Sequence, residues 1–127
     1  MSNQDIPSTI KFHNQSQQLE LAWKGDSYLL PAELLRVLSP SAEVRGHGKG
    51  NEVLQFGKKA VRISKLEPVG NYALKIYFDD GHDSGLYHWQ YLKDLAQNQQ
   101  QHWQGYLEKL AAAGKSRESG SIQFKAV

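Results

Sequence analysis

The apolar residues of this chain fall into short alternating runs that predict β-strands. Two runs each place three large side chains on one face: Leu19, Leu21 and Trp23 in the first, and Leu74, Ile76 and Phe78 in the second. Because successive side chains of a strand point to opposite faces, each run predicts a half-buried strand. Ile10 with Phe12, and Val61 with Ile63, alternate in the same way and predict a further strand ahead of each run.

Glycine-containing turns and short helices complete both patterns. Residues 24–26 and 80–81 supply turns, since glycine accepts the positive φ that tight hairpins need. A short third strand is predicted at residues 28–30 and again at 84–87. Pro31 suits the first turn of a helix, which ends before Pro40, and the second helix begins near His88.

The two regions align as a duplication. Leu19, Leu21, Trp23, Ser27, Leu29, Leu35 and Arg36 fall opposite Leu74, Ile76, Phe78, Ser84, Leu86, Leu92 and Lys93. Neither half alone can bury its apolar face, so the two are expected to share one core. The predicted fold class is α+β, with duplicated ββ-short β-α units sharing one core and a C-terminal helical region.

The C-terminal region and both ends set the predicted domain limits. Apolar residues recur at helical spacing from Trp89 to Leu110, and Gly114 is a natural helix C-cap. The polar run 97–101 indicates either a break between two helices or the solvated face of one. We expect a flexible N-terminus at residues 1–7, a folded domain at 8–114 and a disordered tail at 115–127.

Composition excludes several kinds of chemistry. The 127 residues include no cysteine, which excludes disulfides, thiolate metal sites and cysteine nucleophiles. The net charge of +2 is too small to indicate nucleic acid by itself. No apolar run is long enough to cross a membrane, and the polar start is unlike a signal peptide, so a cytoplasmic location is expected.

A glycine-rich segment, residues 41–59, lies outside the apolar pattern and is a candidate for function. Its centre contains Arg45, Gly46, His47 and Gly48. A phosphate-binding loop would need Ser or Thr after Lys49 and a helix after that, and neither is present. Docking of a partner or an anion is therefore the preferred functional interpretation of this loop, with a simple flexible loop as the alternative.

The second hairpin carries the other candidate cluster. Asp79, Asp80, His82 and Asp83 crowd one turn and offer ligands of the kind that a divalent metal uses. Clustered acids are also common in plain turns, which is the favoured interpretation. A metal-binding module would use His82 with Asp80, Asp83 or His47.

Nucleic-acid binding and catalysis have less support. Basic residues are concentrated in the middle of the chain: Arg45, Lys49, Lys58, Lys59, Arg62 and Lys65. No nucleic-acid-binding signature accompanies them, so nucleic acid remains a weaker alternative. The histidines lack zinc-finger or metalloprotease spacing, and the serines lack a nucleophile elbow, so we expect no enzyme activity.

Long segments of the sequence resemble one family. Residues 30–48 (LPAELLRVLSPSAEVRGHG) and 67–89 (EPVGNYALKIYFDDGHDSGLYHW) are similar to a bacterial family of unknown function related to the N-terminal domain of gamma-butyrobetaine hydroxylase. In those hydroxylases the domain precedes a catalytic oxygenase domain and holds a structural zinc through three cysteines and a histidine. Here the cysteine positions are Ser39, Ser41 and Val44, and the histidine position is His82.

The resemblance implies a binding role without a cofactor. With all three thiolates missing, we expect no zinc, and the oxygenase activity is not carried over. Related domains are also fused to Mrp-type P-loop ATPases that carry iron–sulfur clusters. We therefore expect an adaptor that docks an unidentified protein partner, linked to iron–sulfur or oxygenase metabolism. The expected partner-binding residues are Arg45, Gly46, His47, Gly48, Asp80, His82 and Asp83.

Overall fold

A computed structural model of the chain describes residues 6–46 and 52–118. In the first half, strands β1 (Thr9–His13), β2 (Gln18–Trp23) and β3 (Asp26–Pro31) form an antiparallel sheet in the order β1-β2-β3. Helix α1 (Ala32–Val37) follows β3 directly, and the four-residue helix α2 (Ala42–Arg45) comes soon after it.

The second half follows the same plan. Strands β4 (Ile63–Val69), β5 (Ala73–Phe78) and β6 (Leu86–His88) form an antiparallel sheet in the order β4-β5-β6. Helix α3 (Trp89–Gln97) follows β6, and helix α4 (Gln99–Ala113) follows α3. The predicted α+β class and the duplicated ββ-short β-α units are therefore confirmed.

The duplication extends to backbone detail. Gly25 and Gly81, in the two hairpin turns, both have φ of 90°. Pro31 and His88, which precede α1 and α3, have nearly the same conformation, with φ/ψ of −66°/149° and −64°/151°. The backbone therefore passes from the third strand into the helix with the same dihedral angles in both units.

Both halves contribute to one core. Leu19, Leu21 and Ile76 are fully buried in a single cluster, as alternation along β2 and β5 predicts. Tyr87 of β6 is also fully buried, and its hydroxyl donates to the carbonyl oxygen of Leu35 in α1. Burial of each large apolar side chain contributes about 1.5–3 kcal/mol, so the shared cluster makes each half depend on the other.

Three details of the structure either differ from the sequence-based prediction or decide between its alternatives. Ile10 is expected on a buried face but is 42% exposed, and Phe12 on the same strand only packs against the margin of the core. The polar run 97–101 contains a break between two helices, at Asn98. Residues 115–118, within the predicted tail, contact the domain: Gly57 and Lys59 donate backbone N–H groups to Ser116 and Arg117.

Candidate functional site

The end of α1 brings the chain back towards the second hairpin. The helix stops at Leu38, and Ser41 then caps α2 by accepting a hydrogen bond from the backbone N–H of Glu43, at 3.1 Å. Serine is favoured at this position because its hydroxyl satisfies one of the free N–H groups at a helix start. The short helix is thereby placed beside the turn that joins β5 to β6.

A chain of hydrogen-bonded side chains joins α2 to this hairpin. His82 Nε2 lies 2.8 Å from Ser39 Oγ, and His82 Nδ1 lies 3.0 Å from Glu43 Oε1. Beside them, the hydroxyls of Ser41 and Ser84 are 2.7 Å apart. We call these five residues the polar cluster. They link segments that are more than 35 residues apart in sequence, so the cluster ties the two halves together outside the apolar core.

His82 is the centre of the polar cluster and is only 6% exposed. Burial lowers its pKa below the ordinary value, the charge of Arg36 lowers it further, and Glu43 opposes both effects. The imidazole is therefore neutral at pH 7. The matching tautomer donates from Nδ1–H to Glu43 and accepts at Nε2 from the Ser39 hydroxyl.

A second link, between charges, lies at the tip of the same hairpin. The Asp80 carboxylate accepts from Arg36 Nε at 2.9 Å and from Lys58 Nζ at 2.6 Å. Burial alone would raise the pKa of Asp80, but Lys58, the His82 backbone N–H and Arg36 together lower it to about 2. Since the Arg36 side chain is only 8% exposed, Asp80 neutralises a charge that would otherwise be buried alone.

Ser39, His82 and Glu43 are connected in the order of a serine hydrolase triad, which the sequence does not predict. The geometry of the bonds is suitable, but the serine is inaccessible. Ser39 is 1% exposed, and a Cβ placed on Gly85 would lie 2.5 Å from its Oγ. A nucleophile must approach a substrate carbonyl closely, so this buried hydroxyl is placed to hold the histidine and not to attack.

The four positions that resemble a zinc site are brought together only in part. Ser39 and Ser41 lie beside His82, as the resemblance implies, and the backbone N–H of Ser41 donates to Ser39 Oγ at 3.2 Å. Val44 is buried and offers no ligand atom. Within residues 6–46 and 52–118, no three His, Asp or Glu side chains are grouped as metal ligands.

The hairpin acids do not converge as a metal site would require. Asp79 accepts the backbone N–H of Arg62, Asp80 is paired with Arg36, and His82 turns inward to the polar cluster. His47, the remaining ligand candidate, lies outside the described residues. The geometry thus favours the interpretation of this turn as a structural hairpin tip.

The predicted partner-binding residues differ in how exposed they are to solvent. Arg45 and Asp83 are exposed, Gly46 is half-buried, and His47 and Gly48 lie outside the described residues. Asp80 is exposed but has its carboxylate bonded to Arg36 and Lys58, whereas His82 is buried. Ser84, the last residue of the hairpin that the sequence indicates, belongs to the same surface. So does Glu43, which the sequence did not single out; it lies two residues after a helix-capping serine, and that serine was the available signal.

The basic residues of the middle segment do not form one patch of unpaired charge in the described part of the chain. Lys58 is paired with Asp80, Lys59 with Glu118, and Lys65 approaches Glu67 at 3.9 Å. Lys49 lies outside the described residues. Each pairing reduces the positive potential that a phosphate backbone would meet.

The fold and the polar cluster define a small α+β domain made of two repeated sheet-and-helix units. A family model described as "Gamma-butyrobetaine hydroxylase-like, N-terminal" matches residues 10–93. The chain belongs to this family. The match confirms the resemblance seen in the sequence and includes α1, α2 and the second hairpin.

Solved structures show the same fold. Two NMR solution structures of proteins have sequence identities of 55% and 47%, TM-scores of 0.81 and 0.75, and cover 95% and 99% of this chain and 96% and 98% of their own. A crystal structure of a protein of unknown function from Acidithiobacillus ferrooxidans, of the DUF971 family, is 31% identical, with a TM-score of 0.61. It covers 75% of this chain and 97% of its own.

No curated protein matches the chain. Within the part of the chain that the structure describes, no helix has the length and apolar character to cross a membrane.

Proposed function

We propose that this protein is a non-catalytic interaction module that docks a protein partner. The proposed contact surface consists of residues 41–46 and 79–84, here called the α2–hairpin surface. One observation carries the proposal: Glu43–His82 and Ser41–Ser84 hydrogen bonds fasten two segments of distant sequence into one surface. Residues held in place before binding lose less conformational entropy when a partner docks.

The exposed charges of this surface suit a polar partner. Arg45 and Asp83 are exposed, and the Glu43 side chain is 72% exposed although one of its oxygens contacts His82. Charges of both signs across one surface favour a partner with a complementary pattern over a uniformly charged polymer. We extend the proposal, on the family alone, to a cytoplasmic partner in iron–sulfur or oxygenase metabolism.

Partner capture with charge-reversed variants tests this proposal. We expect Arg45→Glu and Asp83→Lys to lose a partner that the wild-type protein retains, in a pull-down followed by binding measurements with the purified partner. Asp26→Lys is the matched control, because Asp26 is exposed at the corresponding hairpin of the first half. An equal loss with Asp26→Lys, or equal retention by all variants, would remove the surface from consideration.

A measurement of bound metal distinguishes the protein-interaction proposal from the metal-binding alternative. Elemental analysis of tag-free protein should give far less than one zinc or iron per chain if the module acts through its surface alone. A stoichiometric metal that disappears in His82→Ala would instead support the metal-binding alternative.

A further inference from the structure

A cavity adjoins the α2–hairpin surface and shares Val44 and Arg45 with it. It has a volume of about 740 Å³ and lies between the end of α1, α2, residues 52–55, α3 and α4. Of the polar cluster, Ser39 lines the cavity, and the rest of the lining comes from mostly apolar positions of the other elements. Small-molecule sites have volumes of about 300–1,000 Å³ and mostly apolar walls with a few polar groups.

The walls of this cavity are fixed by hydrogen bonds. The Tyr106 hydroxyl donates to the Gln55 carbonyl oxygen at 2.8 Å, and the Tyr91 hydroxyl donates to the Leu38 carbonyl oxygen. The backbone N–H of Val53 donates to the Val44 carbonyl oxygen at 2.7 Å. The segment 52–55 is thereby attached to both α2 and α4, and the space is a feature of the folded chain.

The charged groups of the lining favour an anion. Arg45 and Lys109 are cationic, and Glu52 is the acidic member of the described lining. His102 also lines the cavity but is bonded to Asp94 at 2.9 Å. The Arg45 guanidinium lies 5.1 Å from the centre of the Tyr91 ring, so a cation sits against an aromatic wall. A carboxylate near these cations and an apolar body along the aromatic and aliphatic side chains would match the lining.

Gly105 shows how much room the cavity leaves beside α4. It lies in the interior of α4 and lines the cavity. Glycine is less favourable than alanine in a helix interior. A Cβ built on Gly105 would meet no atom within 4 Å, so packing of the described residues does not require glycine there. The position of Gly105 therefore borders open space that a larger side chain could fill.

We infer that this cavity binds a small organic anion, a carboxylate attached to an apolar body, with Arg45 and Lys109 attracting the carboxylate and Gly105 leaving room for the body. This inference shares Arg45 with the proposed interaction surface but does not require a protein partner. Lys109 and Gly105 belong to the cavity alone, so its failure is distinguishable from failure of the partner proposal.

An NMR titration of the full chain with a matched pair of probes tests the inference. We expect 2-naphthoate to cause saturable amide shifts centred on Val44, Leu54 and Gly105. The neutral isostere 2-naphthamide should bind about five- to tenfold more weakly, because it lacks the charge that Arg45 and Lys109 attract. Shifts that do not saturate, or that centre elsewhere, would overturn the site, and equal affinity for both probes would overturn its preference for anions.

Variants make the test specific. Lys109→Gln should weaken naphthoate several-fold and leave naphthamide unchanged, whereas Lys11→Gln, on exposed β1, should change neither. Gly105→Leu should block both probes by filling the space, and Gly105→Ala should retain both. Amide spectra establish that each variant is folded. If Lys109→Gln and folded Gly105→Leu both bind naphthoate like the wild type, the inference is wrong.

Discussion

The two halves of this molecule share the same arrangement of strands and helix but differ in the segment that follows the helix. In both, three antiparallel strands lead into a helix that begins with the same backbone geometry. The second-half helix, α3, is followed after one residue by the 15-residue helix α4. The first-half helix, α1, has only six residues and releases the chain into the serine turn and α2. The repeated apolar residues therefore form the shared core, and the segment after α1, which has no equivalent in the second half, forms part of the candidate site.

Polar groups show the same asymmetry. Arg36 and Lys93 occupy equivalent helix positions, yet Arg36 is buried against Asp80 while Lys93 is half-buried. His82 of the second hairpin turns inward, whereas residues 24–26 of the first hairpin are mostly exposed. The two units therefore share the buried pattern of the core but differ in the polar residues at the end of the helix and in the hairpin turn.

The largest expected effect comes from equivalent core leucines. Leu35→Ala and Leu92→Ala each remove a fully buried side chain and should lower the free energy of unfolding by about 2–5 kcal/mol. Because the core is shared, chemical denaturation should show one transition in both variants. The exposed pair Leu29→Ala and Leu86→Ala should change stability by less than about 1 kcal/mol. Two separate transitions would show that the halves unfold independently.

The Arg36–Asp80 pair should matter next. Asp80→Ala leaves Arg36 buried without its carboxylate and should lower the free energy of unfolding by about 1–3 kcal/mol, reduced from a fully buried pair by partial exposure of Asp80. Thermal unfolding of the wild type and Asp80→Ala measures this loss of stability. Asp83→Ala, at an exposed position of the same hairpin, is the control and should be nearly neutral. Restoration of stability in Arg36→Met/Asp80→Ala would confirm that the unpaired charge is the cause.

Acid should weaken the same link in a defined range. The pKa of Asp80 falls from the ordinary 3.8 to about 2 in the folded protein, so its contribution is complete above 3.8 and is lost as the pH falls towards 2. With solvent screening, the loss is about 1–2 kcal/mol. The stability difference between wild type and Asp80→Ala, measured by denaturation from pH 5 to pH 2, should shrink over this range. A difference that is constant with pH would contradict it.

The polar cluster should contribute a comparable or smaller amount. His82→Ala removes two hydrogen bonds and should lower the free energy of unfolding by about 1–2 kcal/mol. Because the folded-state pKa of His82 lies below its ordinary 6.5, the wild type should also lose stability as the pH falls below 6.5, and His82→Ala should lose less. His88→Ala, at an exposed position of β6, is the matched histidine control. Identical pH profiles for wild type and His82→Ala would contradict the assignment.

The smallest expected effect is a gain. Gly105→Ala should raise the free energy of unfolding by about 0.5–1 kcal/mol, because alanine is favoured in a helix and its methyl group meets no neighbour within 4 Å. Gly114→Ala, at the C-cap with φ of 66°, should instead destabilise. Thermal melts of the two variants provide the comparison. A loss of stability in Gly105→Ala would show that the helix needs glycine for backbone reasons.

Local patterns along the chain were enough to predict the class of fold, the duplication and much of the core. Period-two alternation is a local property, so Leu19 and Leu21 in β2, and Ile76 in β5, could be assigned to a buried face before any contact was known. Similarity over long segments likewise identified the family. Ile10 departs from this rule: it alternates with polar neighbours like the buried residues, but burial also depends on what packs against that face of the sheet in the folded chain.

The roles of the polar residues follow instead from contacts between distant segments of the folded chain. His82 and Asp80 share one turn, yet one faces Ser39 and the other Arg36, because each orientation depends on segments more than 40 residues away. Glu43 and Gly105 carry no sequence motif; their meaning comes from the hairpin and the cavity beside them. Hydrogen bonds and cavities arise from contacts between distant segments, and local periodicity does not specify those contacts.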